Sequence, residues 1–240
     1  MIRIVVIGVA CVVGTIACGA AAAADDASLG LSLAPLIGTH SEPTFRETVP
    51  AIPIPIVQAR ARVSGAELFV ESFPASPAIV EGVGRQPRLS TNLTFLDGVV
   101  RGYALGDRLS AGIGGLVYNQ ATSYEPGGQV DASRVAGARY ELGAGLLPNP
   151  SVLRLQVDLM PSLRGTIRTT LPFIAHVPDR PETGSQVEVQ AIVRHVHGAF
   201  EFSYGARYVD YVAKFDRGGG LADRNCGVLP FITLAVHVGA

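Results

Sequence analysis

From Val152 to Arg168 the chain alternates between two kinds of residue. Arg154, Gln156, Asp158, Met160, Ser162, Arg164, Thr166 and Arg168 fall on one side, and Leu153, Leu155, Val157, Leu159, Pro161, Leu163 and Ile167 on the other. Only an extended strand has a side-chain period of two. At ~3.3 Å per residue such a strand runs about 55 Å, whereas ~9–11 residues are enough for a strand to cross a membrane. One greasy face and one charged face ask for two different surroundings. That is the pattern of the wall of a transmembrane β-barrel.

The same grammar recurs along the chain. In Ser133 to Leu146, Val135, Gly137, Arg139, Glu141 and Gly143 oppose Ala136, Ala138, Tyr140, Leu142, Ala144 and Leu146. In Ala199 to Phe215, Glu201, Ser203, Gly205 and Arg207 oppose Phe200, Phe202, Tyr204, Ala206 and Tyr208. Gln186 to His197 sets Gln186, Glu188, Gln190 and Arg194 against Val187, Val189, Ala191 and Val193. Arg108 to Tyr124 reads as a further strand, and Ile52 to Val63 with Ala66 to Phe73 as a hairpin about Ser64-Gly65. Pro50, Pro53 and Pro55 remove ladder donors at the start of that hairpin and predict an irregular end. The four residues Gly137-Ala138-Arg139-Tyr140 recur as Gly205-Ala206-Arg207-Tyr208, with Arg on the polar and Tyr on the apolar face both times.

Two points leave the strand count open. Asp97-Gly98 reads either as a hairpin turn or as a bulge within one strand from Arg88 to Ala104, because this dipeptide serves both. Ser28 to Gly38 reads as strand or connection. The expected fold is therefore all-β, an antiparallel up-and-down transmembrane β-barrel of eight or ten strands. Tight turns at 106–107, 148–150 and 197–198 alternate with polar stretches at 125–131, 171–184 and 217–225, which read as long loops on the opposite rim.

The chain opens with Arg3, an apolar run from Ile4 to Ala17 and small residues from Gly19 to Ala24, followed by Asp25 and Asp26. This is the layout of a secretory signal peptide, with cleavage expected after Ala24. Thr15-Ile16-Ala17-Cys18 is a lipoprotein signal in outline only, since Thr15 stands where such signals usually carry Leu. Residues 1–24 thus read as signal peptide, 25–50 as an N-terminal segment and 51–240 as the barrel domain. Cleavage removes Cys11 and Cys18 and leaves Cys226 without an intramolecular disulfide partner. A net charge of −1 excludes an electrostatic case for nucleic-acid binding. Charged residues make up 16% of the chain and mean hydropathy is +0.33, yet beyond the leader no apolar run suffices for a membrane helix. The apolar residues therefore have to reside in strands.

The last strand, in which Ile232, Leu234, Val236 and Val238 alternate toward Gly239-Ala240, resembles the terminal strand of small bacterial outer-membrane β-barrels of the OmpA-like and OmpX-like class. Members of that class usually finish in Phe and carry Trp and Tyr girdles; this chain has no Trp, and Tyr103, Tyr140, Tyr204, Tyr208 and Tyr211 are its candidates for a thin girdle. The resemblance implies residence in the outer membrane, assembly by the barrel-assembly machinery, contact with outer-membrane lipid, and short turns on the periplasmic side.

If the polar faces point inward, the lumen receives Arg60, Arg62, Glu67, Glu71, Arg139, Glu141, Arg154, Asp158, Arg164, Glu188, Arg194, Glu201 and Arg207. Both signs are present, so the expectation is an interlocked, plugged core, with a small selective pore as the alternative. His195 and His197 share a face, but no Cys, Asp or Glu at short spacing completes a metal site. No Gly-x-Ser-x-Gly, phosphate loop or dinucleotide fingerprint occurs, and no cofactor is indicated. The expected role is structural, adhesive or of limited permeability. A lipid-modifying barrel enzyme and a soluble periplasmic β-barrel binding an apolar ligand are the alternatives.

Overall fold

A computed structural model describes residues 26–42, 45–80, 88–125, 128–146, 151–174, 177–215 and 222–238. Ten strands follow one another: β1 Asp26–Glu42, β2 Phe45–Val63, β3 Ala66–Val80, β4 Arg88–Ala104, β5 Leu109–Glu125, β6 Gln129–Gly145, β7 Ser151–Thr170, β8 Arg180–His197, β9 Phe200–Phe215 and β10 Ala222–Val238. Each pairs antiparallel with its neighbour in sequence, and β1 pairs with β10 to close the barrel. Near the end of the barrel where β1 begins and β10 ends, every strand is paired on both sides, so there the backbone can cross an apolar medium with its polar groups paired.

The count is ten, and both open points resolve as strand. Asp97 and Gly98 lie inside β4, paired to Leu116 and Gly115 on one side and to Glu71 and Val70 on the other. Ser28 to Gly38 lies within β1. Among the described residues the barrel begins at Asp26, and residues 26–42 and 45–50 belong to its wall rather than to a separate N-terminal segment. The expected signal peptide lies outside the described residues, as does the Pro148-Asn149-Pro150 turn.

Asp26 and Val238 share one rim, here the terminal rim, with the connections 64–65, 105–108 and 198–199 and with the adjoining ends of β6 and β7. Ser64 and Gly65 both adopt positive φ, 47° and 85°, as a two-residue hairpin turn matched to strand twist demands. On the far rim, the polar stretches expected as long loops are partly wall: Gln129 to Asp131, Arg180 to Gly184 and Ala222 to Asn225 are strand. Between β2 and β3 the pairing runs only from Val63↔Ala66 to Val57↔Ser72 among the described residues. Beyond it β2 stays registered with β1 through Pro55↔Leu33 and Pro53↔Pro35. The prolines that predicted irregularity sit where the second ladder stops.

The outer face changes character partway up. Near the terminal rim it presents Leu29, Leu31 and Leu33 of β1, Ile113 of β5, Leu142 of β6, Leu155, Val157 and Leu159 of β7, Val187 and Val189 of β8, and Ile232 and Leu234 of β10, all well exposed, with Leu142 at 65% and Ile113 at 60%. A continuous belt of this kind on every side exceeds what a protein leaves in water. Toward the far rim the outward positions become Asn119 on β5, Arg134 on β6, Arg164, Thr166 and Arg168 on β7, Thr183 on β8, Lys214 on β9 and Arg224 on β10.

On β7 the switch involves a register shift. Pairing to β8 jumps between Met160 and Leu163, and pairing to β6 jumps between Tyr140 and Gly137. Up to Met160 the even residues face inward; from Leu163 onward the odd ones do, and Leu163 and Ile167 are buried while Arg164 and Arg168 are exposed. An extra residue in one strand of a ladder has this effect. Gly165 lies just past the shift, where a Cβ would strike the carbonyl oxygen of Arg134.

The lengths agree with a wall in two media. A strand of 17 residues, at ~3.3 Å per residue and ~40° tilt, spans roughly 43 Å, against an apolar band of about 25 Å. The strands exceed such a band, and the surplus, with its polar outer face, lies on the far-rim side. Leu142→Arg, in the belt, should therefore cost about 2–4 kcal/mol, while Thr170→Arg, exposed on the outer face past the boundary and paired with Val130, should stay within about 0.5 kcal/mol. Urea unfolding in lipid vesicles, read by heat-modifiable gel mobility, distinguishes the two; equal costs would remove the boundary.

Candidate functional site

The bore is filled by side chains in two layers. Nearer the terminal rim, Arg101 of β4 donates through Nη1 to Glu67 of β3 at 2.7 Å and through Nε to Glu141 of β6 at 2.5 Å. Arg139 of β6, 1% exposed, contacts Asp97 of β4, Asp158 of β7 at 3.1 Å and Glu141 at 3.5 Å. Two links cross the bore: Arg207 of β9 chelates Glu71 of β3 at 2.6 and 2.9 Å, and Arg60 of β2 reaches Glu201 of β9 at 3.1 Å. Arg207 also lies 3.7 Å from Glu188, and Arg194 lies 3.7 Å from Glu201.

Neutral donors and rings add further contacts to these ions. Gln58, Gln156 and Gln186 donate to Glu71, Asp158 and Glu188. Arg101 stacks on Phe69 at 4.5 Å, and Arg62 and Arg154 lie over Tyr103 at 4.7 and 5.3 Å. Arg154 donates to Ser110 and stands 4.0 Å from Glu141. His237 joins the two ends of the chain, its Nδ1 2.7 Å from Asp26 and its Nε2 3.2 Å from Glu201. At the rim itself Arg62 chelates Asp107 with two 2.8 Å bonds, which hold that turn carboxyl below its ordinary range. Beside Arg60, Phe69 and Glu201 a cavity leaves about 10 Å³ for the centre of a water molecule, room for roughly one.

Above the ions lies an apolar layer. Leu116, Val135, Met160, Leu163, Tyr211 and Ala213 pack with Phe95 and Tyr118, and Ala34, Ile54, Ile56 and Phe231 pack with Phe95, Leu36 and Leu229. Phe95 belongs to both groups, so they meet across the bore. Past this layer Glu182 accepts hydrogen bonds from Ser133 and from Tyr211 Oη at 3.2 Å.

Of the residues expected in the lumen, Arg60, Glu67, Glu71, Arg139, Glu141, Arg154, Asp158, Glu188, Arg194, Glu201 and Arg207 line or cross the bore, and Arg62 closes its terminal rim. Arg164 does not: the register shift turns it outward, and it is exposed on the outer face. The expected girdle loses two members because, with no register shift involved, Tyr103 and Tyr211 continue the inward alternation of Asp97, Val99, Arg101 and of Glu201, Ser203, Arg207, while Tyr140, Tyr204 and Tyr208 point out. His195 and His197 face outward near the terminal rim, where His195 stacks on Tyr204 at 5.9 Å.

Sequence reasoning missed Asp97 and Arg101, because Asp97-Gly98 looked like punctuation. It also missed Asp26 and His237, which lie at opposite ends of the chain and meet only through β1–β10 closure. Alternation of Asp97, Val99, Arg101 and Tyr103 was the available signal for the first pair.

No protein-family model and no curated protein sequence matches the chain. Among solved structures it is similar to the outer membrane protease OmpT from Escherichia coli, with a TM-score of 0.61 and 9% identity over 89% of this chain and 97% of that one. Weaker superpositions are found with the CymD monoaromatic hydrocarbon channel, TM-score 0.41 at 9% identity over 92% and 90%, and with Neisserial surface protein A, 0.38 at 9% over 88% and 95%. At such identities the likeness is one of fold. The chain has the architecture of an outer-membrane β-barrel.

Removing one partner of a buried ion pair strands the other. Arg207→Met should cost about 3–5 kcal/mol by leaving Glu71 and Glu188 uncompensated, and adding Glu71→Gln should recover part of that loss. Urea midpoints of the single and double variants measure both; a double variant no more stable than Arg207→Met would contradict the pairing.

Proposed function

We propose that this protein is an exported outer-membrane β-barrel, folded by the barrel-assembly machinery, with a structural or adhesive role and a bore that passes little or no solute. The observation that carries this reading is the double filling of the bore: cross-bore Arg–carboxylate links below and an apolar layer above. An open aqueous channel needs more strands, about sixteen in porins, so that side chains from opposite walls do not meet. Here Arg207 and Glu71 meet from β9 and β3. The terminal rim, with its short turns, lies on the periplasmic side. The far rim and the wall beneath it stand in the external medium and offer the surface for contact with other molecules.

A soluble barrel that carries an apolar ligand is disfavoured by the belt, which puts its leucines outside rather than around a cavity. A lipid-modifying activity predicts a change in lipid A acyl composition on expression, and mass spectra with and without expression are expected to be the same.

Purified protein in planar bilayers should show no large steady conductance, and membrane fractions should retain it through carbonate extraction with heat-modifiable mobility. A large steady conductance contradicts the filled bore, whereas carbonate solubility without a mobility shift contradicts the membrane barrel itself.

A further inference from the structure

Just past the apolar belt, β6 and β7 present three arginines to the outside. Arg134 pairs with Thr166 in register, so Arg164 and Arg168 lie diagonally on either side of it. Diagonal neighbours on one sheet face stand about 7–8 Å apart, within reach of long side chains. The row through Arg164 continues to Thr183 of β8 and then Lys214 of β9. All of these residues are exposed.

Their pairing sets them apart from the other arginines of the wall. Arg168 chelates Asp179 at 2.9 and 3.0 Å, and Arg224, elsewhere on the outer face, chelates Asp210. Arg134, Arg164 and Lys214 form no ion pair among the described residues. Neighbouring like charges on one sheet face repel, and an anion shared between them relieves that repulsion. Guanidinium groups chelate phosphate with two parallel hydrogen bonds, and Thr166 and Thr183 add hydroxyl donors between them.

The position of the patch selects the anion. It faces away from the bore, and on β6 and β7 the wall below it is Tyr140, Leu142, Leu155, Val157 and Leu159. A molecule that meets both surfaces carries phosphate above and acyl chains below. We propose that this patch binds the phosphate-bearing headgroup of an outer-leaflet lipid, whose chains lie against the belt. The inference rests on the outer-membrane reading above.

The test uses the full mature barrel in detergent, titrated with bis-phosphorylated lipid A and read by native mass spectrometry. Arg134→Gln with Arg164→Gln should weaken binding about thirtyfold, while Arg108→Gln at the terminal rim should leave it unchanged. Dephosphorylated lipid A should bind the unaltered protein as weakly as intact lipid A binds the double variant, and inorganic phosphate at equal concentration should not displace the lipid. Equal binding by the double variant, or by dephosphorylated lipid A, overturns the proposal; displacement by inorganic phosphate overturns the lipid as its source. Heat-modifiable mobility checks that each variant folds. Should the double variant fail that check, Arg134→Lys and Arg164→Lys keep the charge, lose the planar fork and are expected to weaken binding about threefold; unchanged binding by both again overturns the proposal. Outer-membrane fractionation separates the two readings, since correct localisation with unaltered lipid binding defeats this inference alone.

Discussion

Arg207 of β9 holds Glu71 of β3 from the opposite side of the bore, and Arg60 of β2 holds Glu201 of β9. Charges this deeply buried are costly unless each one meets a partner and its remaining hydrogen-bond sites are filled. The wall therefore has to bring β2 and β3 within side-chain reach of β9. Glutamines at 58, 156 and 186 and the rings of Phe69 and Tyr103 add further contacts to the ions, while among the described residues Asp97 Oδ1 and Glu141 Oε2 stay buried without a hydrogen-bond donor. Cross-links of this kind brace the closed sheet, and they also occupy the space through which a solute would move.

The second organising element is the boundary between lipid and water on the outside. Within the belt the inside is ionic and the outside apolar; beyond it the inside is apolar and the outside ionic. A sheet in water is stabilised by an apolar core, whereas in lipid its apolar face must turn outward, so a strand that crosses from one medium to the other has to exchange faces or change composition. On β7 the register shift between Met160 and Leu163 exchanges the faces. On β6, β8 and β9 the parity holds and the composition changes instead, as in the outward sequences Tyr140, Ala138, Ala136, Arg134 and Tyr208, Asp210, Val212, Lys214. The basic patch on β6, β7 and β9 lies where both devices operate side by side.

That exchange also explains which expectations from sequence failed. Arg164 was assigned to the lumen by carrying one parity through the whole of Val152–Arg168. Parity is a local property of a ladder, and a bulge next to Pro161 resets it. Gln129–Asp131, Arg180–Gly184 and Ala222–Asn225 looked like loops because they are polar, whereas they are strand whose outer face is in water. The prolines at 50, 53 and 55 were legible in kind, and both ladders of β2 are irregular there: among the described residues the one with β3 stops at Val57, and the one with β1 shifts register between Ile52↔Leu36 and Val49↔Gly38. His237 and Asp26 were invisible to any local pattern, since their contact depends on the first strand meeting the last.

The alternation of small, apolar and charged residues by itself determined an all-β wall with two unlike faces, the turns at 64–65 and 106–107, and most of the residues that fill the bore. These follow from the two-residue period of a strand, which is readable wherever the register is unbroken. Tertiary structure alone decided the count of ten, the joining of β1 to β10, the partners of each arginine and the outward turn of Arg164. Closure, shear and bulges are relations between strands far apart in the chain, and no single strand's sequence contains them.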